Sequence, residues 1–124
     1  MIAIPLDRRD STTISEYFGN AAYFALLNEN NGLFGVIKND GCGNGLETAK
    51  FLFNQKIDGT IFYNMGEGIF NFFHEKGIKV YSNVNTFVSI DEIYRQFLDK
   101  TYKEVNNFNK DTLLDSGNCT CSNR

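Results

Sequence analysis

"AYFALLNENNGLFGVIKN", residues Ala22 to Asn39, decides the fold class of this 124-residue chain. Two apolar runs flank Asn30, Asn31 and Gly32, residues that tolerate positive φ, so the stretch predicts an antiparallel hairpin of strands Tyr23 to Asn28 and Leu33 to Lys38. Outward from it, short apolar runs bounded by turn residues predict three further strands, Ile2 to Leu6, Thr60 to Tyr63 and Lys79 to Tyr81. Helical spacings alternate with the later strands. Leu46, Ala49, Leu52 and Phe53 share one helical face, with Glu47 in the first turn against the positive dipole end. "MGEGIFNFFHEKG" predicts a second helix with Ile69, Phe72 and Phe73 toward the core and Gly77 as a left-handed stop. In "VSIDEIYRQFLDK", Ser89 and Glu92 have capping-box spacing, and Ile90, Ile93, Tyr94, Phe97 and Leu98 form an apolar stripe. The order β-β-β-α-β-α-β-α joins a hairpin to βαβ units. It implies an α/β domain with a five-stranded mixed sheet covered by helices.

The apolar share, 42% with twelve Phe, is enough for one cored domain and argues against global disorder. Regular patterning covers residues 1–104. From Val105 onward "NNFNKDTLLDSGNCTCSNR" is polar and Asn-rich, which predicts a flexible tail over 105–124. The formal charge of −3, with Lys and Arg scattered among acids, argues against a nucleic-acid partner or an anionic-membrane surface. No stretch has the roughly 20 apolar residues of a membrane span, and the N-terminus lacks the marks of a signal peptide. A cytoplasmic protein is expected. Its three cysteines, Cys42, Cys119 and Cys121, then argue for free thiols or ligands over a disulfide framework.

In open α/β sheets, ligands collect beyond the carboxyl ends of the parallel strands. The loops that reach this edge begin at Asp7 and Asn64, with the glycine-rich "NDGCGNGLETAKF", Asn39 to Phe51, opening the first helix. Gly41, Gly43 and Gly45 give G-x-G-x-G, which is not the G-x-G-x-x-G of a dinucleotide loop, and no G-x-x-x-x-G-K-[ST] is present. Two readings remain for these glycines: permissive turn residues, or backbone N–H donors facing an anion at a helix start. "YNMGEGIF" repeats the pattern with Gly66 and Gly68.

Cys42, between two glycines at a helix start, is either an ordinary small apolar residue or a ligand whose anionic form the dipole favours. Cys119 and Cys121 form C-x-C, either without a role or as soft thiolate ligands for a metal or iron–sulfur unit. Roughly fifteen residues from Val105 to Cys119 span on the order of 50 Å when extended, so the tail can reach the Cys42 loop. His74, the one histidine, reads as a helix-surface residue and lacks the partners of a catalytic triad. Asp7, Glu16, Asp40, Glu47 and Glu67 could assemble a carboxylate metal site, although single acids in loops are commonly solvated turn formers.

"MIAIPLD", "ISEYFGNAAYFALLN", "GCGNGLETAKFL" and "KGIKVY", in this order, with a cysteine pair at the very end, resemble the small dinitrogenase iron–molybdenum cofactor biosynthesis proteins over residues 1–100. The resemblance implies a ribonuclease-H-like fold. It also implies binding or carriage of an iron–sulfur or iron–molybdenum type cluster, received from and passed to protein partners, with no catalytic activity. By position it assigns the ligand edge to Ser15, Tyr17 and Gly19, to Gly41, Gly43 and Gly45, and to Asn64, Gly66 and Gly68. Cys42, Cys119 and Cys121 remain the metal-ligand candidates. Relatives often carry His before Phe-Gly where this chain has Tyr17, and a phenol is a poorer cluster ligand than imidazole. Three functions follow in order: a cluster carrier, an adaptor of the same fold that has lost the cluster, and a carboxylate-metal hydrolase.

Overall fold

The computed structural model describes residues 1–83, 88–106, 109–110 and 114. Its elements are β1 (Ile2–Leu6), β2 (Tyr23–Leu27), β3 (Phe34–Lys38), α1 (Gly45–Asn54), β4 (Gly59–Phe62), α2 (Glu67–Glu75), β5 (Lys79–Ser82), α3 (Ile90–Asp99) and β6 (Lys103–Glu104). The sheet has six strands in the order β3-β2-β1-β4-β5-β6. The five-stranded expectation is therefore corrected by β6. This strand is only two residues long, and its sequence has no apolar alternation to announce it. It exists because Tyr81 and Ser82 of β5 pair antiparallel with Glu104 and Lys103. The next residue, Val105, is also buried and gives its N–H to the Val80 carbonyl at 2.8 Å.

The hairpin forms where expected. Asn28 Oδ1 accepts from the Asn30 N–H, Asn31 Oδ1 accepts from the Leu33 N–H, and Gly32 takes a φ of 78°. A side chain at Gly32 would also meet the Tyr94 ring, at 2.8 Å from its Cβ, so this turn is packed under α3. β1 pairs antiparallel with β2 and parallel with β4, and β4 pairs parallel with β5. Pro5 lies in this central β1 without an N–H to give. The β1–β4 pairs stop at Ala3 and Thr60, and the Pro5 carbonyl instead accepts the Ser15 N–H at 2.8 Å. A loop is thereby wedged in at the carboxyl edge of the sheet.

Alternation along β1 divides the core between the two faces. Ala3 faces the cluster built with Ala49, Leu52, Phe70 and Phe73 of α1 and α2, while Ile2, Ile4 and Leu6 face Ile90 and Ile93 of α3. Helix faces follow the expected stripes only in part. Ala49 and Leu52 are buried, but Leu46 and Phe53 are exposed. On α2, Phe70 and Phe73 are the buried pair, with Ile69 and Phe72 packed half-buried beside them. On α3, Leu98 is exposed while Tyr94 and Phe97 flank the core. The Ser89–Glu92 capping box is present in both directions, and Gly77 follows α2 with a φ of 75°. Among the described residues no helix is long and apolar enough to cross a membrane.

Candidate functional site

At the carboxyl edge of β1 the chain enters a loop fixed by its own polar groups. Ser15 is buried; its Oγ donates to Asp7 Oδ1 at 2.6 Å and accepts the Tyr17 N–H at 3.0 Å. Phe18 then anchors the loop, edge-on to Phe24 and Phe73. Tyr17, between these anchors, has 56% of its surface exposed and presents its phenol outward.

The glycine-rich loop after β3 is stitched to this first loop. The Gly43 N–H donates to the Gly19 carbonyl at 2.9 Å, and the Cys42 thiol donates to the Asn20 carbonyl at 3.5 Å. Beneath the loop, Asn39 and Thr48 form a buried polar hub. Asn39 Nδ2 donates to the Ala21 carbonyl at 2.8 Å and to Thr48 Oγ1 at 2.9 Å, while Asn39 Oδ1 accepts the Gly41 N–H at 2.9 Å. The Thr48 hydroxyl lies 3.0 Å from the Gly41 carbonyl and 3.2 Å from that of Gly19. Sequence reading missed both hub residues. Their signal was an Asn directly before the glycine run and a Thr in the first turn of the helix after it.

The expectation that the first glycine loop offers its amides to an anion is corrected by these bonds. The N–H groups of Gly41, Cys42, Gly43 and Asn44 go to Asn39 Oδ1, the Asn39 carbonyl, the Gly19 carbonyl and the Gly41 carbonyl. Asn44 caps α1 itself, its side chain accepting from the Glu47 N–H. The glycines here serve close packing. A Cβ at Gly41 would lie 2.5 Å from the Thr48 nitrogen, one at Gly19 would lie 2.7 Å from the Gly45 Cα, and one at Gly45 would lie 2.4 Å from Ile69 Cδ1. Gly43 has a φ of 95°.

The second glycine run differs. A Cβ at Gly66 or Gly68 meets nothing within 4 Å among the described residues. Gly66 is the N-cap of α2 and gives no side-chain cap, so the first-turn N–H groups of this helix receive from their N-cap none of the cover that Asn44 gives α1. Asn64 and Gly68 are exposed, and the buried Met65 between them fixes the loop. Contact of Gly45 with Ile69 sets this open helix start beside the Cys42 loop.

Cys42 is exposed, and an open cleft of about 490 Å³ runs from it along α1 past Asp40, Glu47, Lys50 and Phe51. Among the described residues no three His, Cys, Asp or Glu side chains are grouped to hold a metal ion. Asp7 is engaged by Ser15 and Glu67 by Lys110 at 2.8 Å. His74 is exposed and stacks on Phe70, one turn back along α2. Cys119 and Cys121 lie outside the described residues. The structure thus joins Ser15, Tyr17 and Gly19 to Gly41 through Gly45, and sets Gly66 and Gly68 next to them.

The fold and this edge define a class: small α/β domains whose loops gather beyond the carboxyl ends of parallel strands, the place where ligands collect in open sheets. Within it, residues 1–100 match the dinitrogenase iron–molybdenum cofactor family, and the chain belongs to that family. Among solved structures, the apo form of the orange protein from Desulfovibrio gigas is similar with a TM-score of 0.73 at 19% identity, over 84% of this chain and 91% of that one. A putative NifB protein from Thermotoga is similar with a TM-score of 0.67 at 25% identity, over 83% of this chain and 90% of that one. A search of curated proteins returned no match.

Proposed function

We propose that this protein is a non-catalytic cytoplasmic carrier of an anionic metal cluster, of iron–sulfur or iron–molybdenum cofactor type, taken from one protein and handed to another. The observation that carries the reading is the open start of α2. Among the described residues nothing lies within 4 Å of a Cβ at Gly68, and the N-cap Gly66 brings no side chain to the helix amides, which suits an anionic cargo. The exposed Cys42 thiol on the neighbouring loop is available as a soft ligand. A site with few protein ligands suits release better than storage, since a closed four-ligand site holds its metal permanently. Family membership and the similarity to the Thermotoga protein support the same reading. The strand order β3-β2-β1-β4-β5, with β2 alone reversed among these five, supports a ribonuclease-H-like assignment of the fold.

The adaptor reading, with the cluster lost, draws on one observation. Tyr17 stands exposed where a histidine would serve as ligand. Anaerobic reconstitution with iron and sulfide, followed by the visible spectrum and metal content, separates the two. The carrier gives stoichiometric charge-transfer absorption that falls in Cys42→Ser or in the Cys119/Cys121 double serine variant. A colourless protein without metal overturns it and leaves the adaptor.

A further inference from the structure

The two edges of the sheet are guarded very differently. At one end, β6 is two residues long and both, Lys103 and Glu104, are charged and exposed, a common protection against strand addition. At the other end, β3 runs five residues in unbroken register with β2, without a bulge or a proline. Its only charge is Lys38 at the end, and Leu33 and Phe34 expose 70% and 44% of their surface at its start.

The β2–β3 bonding pattern fixes which backbone groups of β3 are open. The Asn28 N–H donates to the Leu33 carbonyl and the Asn39 N–H to the Ala22 carbonyl. Antiparallel ladders alternate bonded and non-bonded pairs, so in the register between these points Gly35 and Ile37 bond to β2. Phe34, Val36 and Lys38 turn their N–H and C=O groups outward. Their side chains share one face, by the two-residue period of a strand.

We propose that β3 pairs with β3 of a second copy of this chain, antiparallel and centred on Val36. In this register Val36 meets Val36, and Phe34 of each copy lies opposite Lys38 of the other. Every outward N–H then finds an outward carbonyl. The Lys38 ammonium can lie over the facing Phe34 ring, whereas a parallel in-register pairing would set Lys38 beside Lys38. Among the described residues each copy has one open edge, so a two-fold pair closes and leaves the guarded β6 edges outside. A five-residue edge buries less than a standard interface, so the dimer is weak, with a dissociation constant on the order of 10–100 μM. The proposal is independent of the cargo assigned above.

Sedimentation velocity across a concentration series tests it, alongside hydrogen exchange of the wild-type amides. The expected result is a concentration-dependent dimer in which the Phe34, Val36 and Lys38 amides gain protection while Gly35 and Ile37 are protected throughout. Val36→Pro removes an outward N–H and no bond to β2, so it weakens dimerisation at least tenfold with thermal unfolding little changed. Phe34→Lys weakens it likewise by facing Lys38, and Phe34→Glu preserves or strengthens it. A wild type that stays monomeric to several hundred micromolar overturns the proposal. So does a dimer whose outward β3 amides exchange as in the monomer, or one that Phe34→Glu and Phe34→Lys weaken equally.

Discussion

Asn39 and Thr48 hold each other beneath the glycine loop, Asn39 Nδ2 donating to Thr48 Oγ1 at 2.9 Å from positions nine residues apart. Both are buried; Asn39 serves the Ala21 carbonyl and the Gly41 N–H, and the single Thr48 O–H lies within reach of the Gly41 and Gly19 carbonyls, donating to one at a time. The Gly19 and Gly41 carbonyls also accept the Gly43 and Asn44 N–H groups, so removing the Thr48 oxygen strands chiefly one hydrogen of Asn39 Nδ2, a cost of about 1–3 kcal/mol for a buried polar group. Thr48→Val keeps the shape and removes the oxygen. It should lower stability by about 2 kcal/mol in urea denaturation, with the fastest-exchanging new amides in Gly41 to Asn44. An unchanged midpoint would mean that water replaces the hydroxyl without loss.

The glycines should separate into two groups on substitution. Gly41→Ala drives a Cβ into the backbone of α1, 2.5 Å from the Thr48 nitrogen, and should cost about 2–4 kcal/mol. Gly68→Asp has open space and joins Glu67 in the first turn of α2, where acids are favoured. Its thermal midpoint should hold or rise, while cluster retention after reconstitution falls because an added carboxylate repels an anionic cargo. Retention equal to wild type would remove the α2 start from the binding edge.

Loss of the capping box should be felt at α3 alone. Ser89 Oγ accepts the Glu92 N–H at 3.1 Å, and the Glu92 carboxylate accepts from the Ser89 backbone N–H. Ser89→Ala should destabilise the protein by about 1 kcal/mol, read as a shift of the denaturation midpoint without a change in slope. Metal content after reconstitution should be unaffected.

A tyrosine on β5 sets an alkaline limit. Burial raises the Tyr81 phenol above its ordinary value of 10.0, and the neighbouring Tyr102 and Glu104 add to this. A raised folded value means that the unfolded chain loses its proton first. The contribution is therefore full below pH 10.0 and is lost as pH rises past it. Thermal midpoints should fall above that pH, and Tyr81→Phe should flatten the fall. An equally steep decline in the variant would assign the effect to other groups.

Much of the fold was legible because it rests on local chemistry. Gly32 at positive φ and the Asn31 side chain turn the hairpin, Ser89 and Glu92 cap α3 three residues apart, and Gly77 ends α2, each acting within about one turn of chain. The faces of α1 and α2 were less legible. Period alone cannot say how wide a stripe the sheet will cover, so Leu46 and Phe53 stay exposed and Phe70 is buried.

By itself the sequence determined the order of the first five strands and the three helices, the Ser89 start of α3 and the Gly77 stop of α2, since propensity, capping and turn chemistry act between near neighbours. Only the tertiary structure decided β6, whose two residues become a strand because β5 offers them an edge. It also decided what each glycine is for. Gly19 and Gly45 are glycine because backbone or side chains far along the chain fill the space of a Cβ, and Gly41 because the first turn of α1 folds back on it, whereas Gly66 and Gly68 face space that the described chain leaves open. That difference is one of distance between atoms of separate loops, which no local pattern of residues encodes.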